Sequence, residues 1–273
     1  MSKLCLVTAL SCEARPWIEH YGLKPIASFG FKAYTSDDIA LVVSGIGQNA
    51  CAAATGFLAG HFQTGPECVW INAGIAGHPD LPRGTVVVVN KSRYVNQSEF
   101  HYPSIPIPLK LFSAECLTVD TVESEYADQM LYDMECAGYF GAARRFSPVD
   151  LVHAVKVVSD NRVHSWSDLD RHAISDLINS RLETIIQTFI NPLLDLATII
   201  RDDNAEIDVH EFTDRWHFTV TNTHRLRALL FDIAAVNAGK IPFPDEFNKC
   251  HSAREVINQL NTRLDSLKPT WSE

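Results

Sequence analysis

Three carboxylates stand at positions where acid chemistry is worth weighing. Glu135 lies in Met134-Glu135-Cys136-Ala137-Gly138, a small and largely apolar stretch. A carboxylate buried among such neighbours is costly unless hydrogen-bond donors compensate it. Asp160 follows residues 151–158, which read as a strand, and stands next to Ser159. An acid there can pass on a proton, although an aspartate after a strand also serves as a helix cap. Glu13 comes just after the apolar run 4–8, where an acid in a first helical turn is also favoured by the helix dipole. Two glycine-rich segments, Ser44-Gly45-Ile46-Gly47 and Ala73-Gly74-Ile75-Ala76-Gly77, follow apolar runs as well. Loops at strand ends are where ligands bind in open α/β sheets. None of the eleven histidines forms an HxxxH pair or a histidine–carboxylate cluster, and the seven cysteines include no CxxC. No metal and no organic cofactor are expected.

The elements that must carry these residues alternate in the first half of the chain. Residues 4–8, 39–43, 68–72 and 85–89 read as strands without polar alternation, the pattern of strands covered on both faces. An alanine-rich helix is expected from Asn49 to about Leu58. Residues 126–145 read as a helix that would carry Glu135. Apolar residues at 174, 177, 178, 182, 185, 186 and 189 form a helical stripe, with Asn191-Pro192 expected to interrupt it. Beyond residue 190 the valine runs stop. Helices are expected over 223–237 and from Ser252, burying Leu226, Leu229, Leu230 and Ile233 in one and Val256, Leu260 and Leu264 in the other. The reading is a three-layer α/β/α domain with a mixed central sheet over 1–190, and a helical C-terminal extension over 191–273.

The composition limits the function classes. The chain has 273 residues, 46% of them hydrophobic, and a formal charge of −10. An acidic surface of this kind repels nucleic-acid backbones and anionic membranes, so neither is expected as a partner. The irregular, odd-numbered cysteines suit a reducing compartment, and no apolar run is long enough to span a bilayer. The cytoplasm is the expected location.

Taken in order, Thr8-Ala9-Leu10-Ser11-Cys12-Glu13, Val43-Ser44-Gly45-Ile46-Gly47, Ile71-Asn72-Ala73-Gly74-Ile75-Ala76-Gly77, Met134-Glu135 and Val158-Ser159-Asp160 form a recognisable set. The set resembles the nucleoside phosphorylase and nucleosidase superfamily, which includes the methylthioadenosine/S-adenosylhomocysteine nucleosidases. Gly84-Thr85-Val86-Val87-Val88 followed by Arg93-Tyr94 fits the same pattern, and the resemblance covers residues 3–190. It implies cleavage of a purine nucleoside's N-glycosidic bond, with water or phosphate as acceptor, by a homo-oligomer. It gives Asp160 the role of protonating, or hydrogen-bonding at, purine N7, Glu135 the ribose hydroxyls, Met134 packing against the sugar, and Glu13 the attacking water. The base and acceptor loops would be Ser44, Gly45, Gly47, Ala73, Gly74 and Ser159.

Breaking an N-glycosidic bond builds positive charge on the sugar and negative charge on the base, which suits carboxylates. Hydrolysis is favoured because Ile75 stands where a phosphate binder would carry Arg, Ser or Thr, and Pro16 follows Arg15 where the phosphorylase pattern differs. The alternatives are a phosphate-dependent phosphorylase and a catalytically idle member that binds nucleosides or a protein. His78 replaces a glycine common in the nucleosidases, and Val122 stands where an aromatic residue stacks on the base. Pro103, Pro106 and Pro108 mark a compressed stretch before Cys116. The group on the 5′ carbon is therefore left open.

Overall fold

The structure is a computed structural model that describes residues 3–27, 30–62, 64–65, 67–205, 207–237 and 239–267, with the backbone alone over 201–205. Its contacts divide the chain into two units, Met1–Thr198 and Ile199–Glu273.

The first unit is built on a mixed sheet. Its strands are β1 (Leu4–Thr8), β2 (Lys24–Pro25), β3 (Lys32–Thr35), β4 (Ile39–Val43), β5 (Val69–Gly77), β6 (Val86–Tyr94), β7 (Phe112–Thr118), β8 (Leu131–Asp133) and β9 (Val152–Asp160). The order is β2-β3-β4-β1-β5-β8-β7-β6-β9, and β5 also pairs with β9. Strand β5 is parallel to β1 and to β9, so the ends of these three strands emerge side by side. Its last residue, Gly77, also pairs with Tyr132 of β8, which closes β5, β8, β7, β6 and β9 into a ring. Every residue of β1 and β9 is buried, as in strands covered on both faces, although β9 carries His153 and Lys156 among its valines.

Helices cover the sheet. Helix α1 (Ser11–Tyr21) packs beside α4 (Arg171–Ile185), and α2 (Gln48–Phe62) beside α3 (Cys136–Ala143). Cys5 and Val7 of β1 share a core with Cys51, Ala54 and Leu58 of α2 and with Tyr139 and Phe140 of α3. The two-residue period of a strand turns Leu4 and Leu6 to the opposite face.

Two expectations about elements are corrected. Residues 126–145 are not one helix: they contain β8, then α3 beginning at Cys136. Pairing of Leu131–Asp133 with β7 outweighs local helix propensity. Asn191-Pro192 does not break the helical run either. A π-helical stretch, Ile186–Ile190, joins α4 to α5 (Asn191–Ala205), so the helical run continues through Pro192.

The second unit has its own core. It contains the short α6 (His210–Thr213), α7 (Val220–Val236) and α8 (Ala253–Leu267). The expected stripe Leu226, Leu229, Leu230 and Ile233 is buried together with Val256, Leu260 and Leu264. Trp216 donates its indole N–H to the Cys250 carbonyl at 2.8 Å. Among the described residues, no helix is long and apolar enough to cross a membrane.

Candidate active site

A cavity of about 270 Å³ opens where β1, β5 and β9 end, within the first unit. Five carboxylates line it, Glu13, Glu123, Asp133, Glu135 and Asp160, together with Ser159 and Met134. Its apolar wall includes Leu10, Ile46, Ile75, Trp166, Leu169 and Ile174. Among the described residues no lysine, arginine or histidine lines it.

Glu13 sits in the first turn of α1 and is buried. Its Oε2 accepts the Ala9 and Leu10 N–H groups at 2.9 and 2.8 Å, and its Oε1 accepts Ile75 N–H at 2.9 Å. The carboxylate thus ties the β1–α1 turn to β5. An ionised carboxylate has about four acceptor sites, so three bonds leave room for one more donor. Burial pushes the Glu13 carboxyl above its ordinary value, and the backbone donors and Lys156 pull against that rise. Gly74 makes the arrangement possible: a Cβ there would lie 2.7 Å from Glu13 Oε1.

Glu135 occupies the junction between β8 and α3, not a helix face. Its Oε1 accepts Gly47 N–H at 2.9 Å. Gly45 and Gly47 turn this loop with φ of 84° and 105°, a region other residues avoid. The cavity gives the carboxylate's remaining lone pairs access to a ligand. Burial, reinforced by the neighbouring Asp133, pushes the Glu135 carboxyl up to about 7 against the pull of Lys156.

Behind these acids lies a buried ion pair that sequence reasoning missed. Lys156 Nζ is 2.7 Å from Asp133 Oδ2, and both side chains are 2% exposed or less. Asp133 also accepts the Thr118 hydroxyl at 2.7 Å and Cys136 N–H at 2.9 Å, which caps the start of α3. Burial alone would lower the Lys156 pKa, but Asp133 and the other nearby acids carry it well above its ordinary value. The sequence signal was present: a lysine inside the valine-rich run of β9 needs a partner. Cys116, Asp133 and Cys136 bring three donor atoms within 4.8 Å, a grouping the cysteine spacing did not suggest. Asp133 is already engaged there by the Lys156 ammonium.

Asp160 ends β9 and faces the same cavity. It accepts hydrogen bonds from the hydroxyls of Ser159 and Tyr126. Ser159 Oγ also stands 3.2 Å from the Ala76 carbonyl. Tyr126 had no signal of its own, because it falls in the stretch read as helix.

The structure thus brings Glu13, Met134, Glu135, Ser159 and Asp160 to one cavity, with Gly47 and Gly74 supporting two of the acids. Ser44, Gly45 and Ala73 are not in the cavity wall. The Ser44 hydroxyl donates to the Gly45 carbonyl at 2.7 Å, and Ala73 is buried in β5. Val122 lines the cavity, whereas Asn161 is not in its wall. Its amide reaches the Leu81 carbonyl at 2.8 Å and its oxygen accepts the Val163 and His164 N–H groups.

No family model matches the chain, and no curated protein matches its sequence. Solved structures do match. The 5′-methylthioadenosine/S-adenosylhomocysteine nucleosidase of Helicobacter pylori superposes with a TM-score of 0.53 at 14% identity, covering 67% of this chain and 99% of that one. The fold is that of the nucleosidases. The corresponding protein of Streptococcus pneumoniae, solved with a transition-state inhibitor, matches with a TM-score of 0.53 at 18% identity, covering 67% and 96%. That of Colwellia psychrerythraea, in complex with adenine, gives a TM-score of 0.52 at 19% identity over 67% and 95%.

Proposed function

We propose that the protein hydrolyses the N-glycosidic bond of a purine nucleoside. The observation that carries this reading is the wall of one cavity: Asp160, Glu135 and Glu13 converge on it, five carboxylates line it, and no cationic side chain is among its described lining residues. A positively charged sugar is stabilised by the ionised carboxylates of such a wall, and an incoming phosphate finds no cationic side chain there to pair with.

The residues divide the reaction between them. Asp160 passes a proton to the base as the bond from the base to C1′ breaks and its electron pair leaves with the base. Glu135 accepts hydrogen bonds from the ribose hydroxyls, and Met134 packs beside the sugar. Water held at the remaining acceptor site of Glu13 forms the new bond to C1′ and gives its proton to the Glu13 carboxylate. The products are free base and ribose, or a ribose with its 5′ substituent. Leu10, Ile46, Trp166 and Ile174 offer an apolar surface to the rest of the nucleoside. A panel of purine nucleosides assayed for free base, with and without phosphate, tests the reading. Base release that does not depend on phosphate is expected, and binding without any release would contradict it.

A further inference from the structure

We propose that Tyr126 is the positioning residue for Asp160, holding the acid's carboxyl group from behind the cavity wall; the inference rests on the N-glycosidic reading above. Tyr126 is buried, yet it is not part of the cavity lining, whereas Asp160 is. Its hydroxyl donates to Asp160 Oδ2, and the Ser159 hydroxyl donates to Oδ1. Each carboxyl oxygen is therefore fixed by one hydroxyl, which sets the plane in which the acid faces a ligand.

The surroundings are built to aim this hydroxyl. Tyr126 has φ of 49°, the one positive value at a non-glycine position among the described residues. Such a backbone persists only where its neighbours hold it. Arg162 donates to the Tyr126 carbonyl at 2.9 Å and to Asp80 Oδ1 at 2.8 Å, and Gln129 also bonds Asp80. The ring packs edge-on against Tyr132 at 5.7 Å. Gly77 leaves the necessary space: a Cβ there would lie 2.7 Å from Asp160 Oδ2 and 2.9 Å from the Tyr126 ring. Burial pushes the phenol's pKa upward, so it remains a donor. The segment between β7 and β8 that carries Tyr126 also supplies Val119, Val122 and Glu123 to the cavity wall. One segment thus shapes the pocket and orients its acid.

The test compares Tyr126→Phe and Asp160→Asn on two substrates. A purine leaves with a proton, whereas the nitrophenolate of 4-nitrophenyl ribofuranoside leaves without one. A positioning role predicts that Tyr126→Phe lowers kcat on the purine nucleoside by roughly 10- to 100-fold, as expected for a misplaced reacting group. KM should stay within about threefold, and nitrophenyl riboside cleavage should be nearly unchanged. The double variant should fall no further than Asp160→Asn alone. Equal losses on the two substrates, no loss on the purine nucleoside, or additive losses in the double variant would overturn the inference. Wild-type turnover by Asp160→Asn, or no base release by the wild-type protein, would instead remove the N-glycosidic reading and this inference with it.

Discussion

Glu135 combines two demands that conflict. Its burial beside Asp133 disfavours charge, while ribose hydroxyls are best held by an ionised carboxylate. Substituting Glu135→Gln keeps an oxygen for Gly47 N–H but removes the charge. Riboside affinity should fall by about 1.5–3 kcal/mol while free purine base binds nearly as before; calorimetry on the two ligands checks this. The same substitution has a stability signature. An acid raised from 4.5 to about 7 holds its proton more tightly when folded, so its contribution to stability is full below pH 4.5 and lost as pH rises through 7. The variant should therefore exceed the wild type at pH 8 by up to about 3 kcal/mol and match it near pH 4. Urea unfolding at the two pH values measures this, and a gap that does not change with pH would contradict it. Asp160→Asn is the complementary case. It should reduce base release by roughly 10²–10⁴-fold while leaving nucleoside binding largely intact, because an amide cannot supply the proton. Single-turnover assays beside equilibrium binding separate the two effects.

At the scale of elements, the site depends on how closely α2 and α3 approach. A Cβ on Gly138 would lie 2.1 Å from the Gln48 carbonyl, so α2 and α3 meet there backbone against backbone. Gly138→Ala must separate them and should destabilise the fold by about 1–3 kcal/mol. Gly141→Ala, on the same helix with nothing within 4 Å, should be neutral or stabilising by roughly 0.5–1 kcal/mol. Thermal melts of the two variants make the comparison. The sequence made much of this scaffold legible: β1 and β4 coincide with their apolar runs, because buried strands carry an unbroken pattern. The segment around β8 was not legible. Three residues long, it is held by pairing with β7 and β5, and no local pattern reports such distant partners. That misreading hid Tyr126 and moved Glu135 from a strand–helix junction onto a helix face. The carboxylates themselves were visible as residues out of keeping with their neighbours; the Asp133–Lys156 pair required the sheet to be assembled first.

The whole molecule carries a formal charge of −10, and no lysine, arginine or histidine is among the described residues lining its cavity. An approaching phosphate dianion meets no cationic partner there, and each ionised carboxylate it touches costs about 1 kcal/mol in water and several in a cleft. The buried Lys156 is already committed to Asp133. Water carries no such penalty, and Glu13 has acceptor capacity left for it. The second unit has a separate apolar core formed by α7 and α8, while every residue lining the cavity comes from the first unit. The most direct test of the account is base release from purine nucleosides in phosphate-free buffer, with the sugar product identified. The account predicts release at full rate with free ribose, or its 5′-substituted form, as the product. Release that requires added phosphate and yields a ribose 1-phosphate would contradict it.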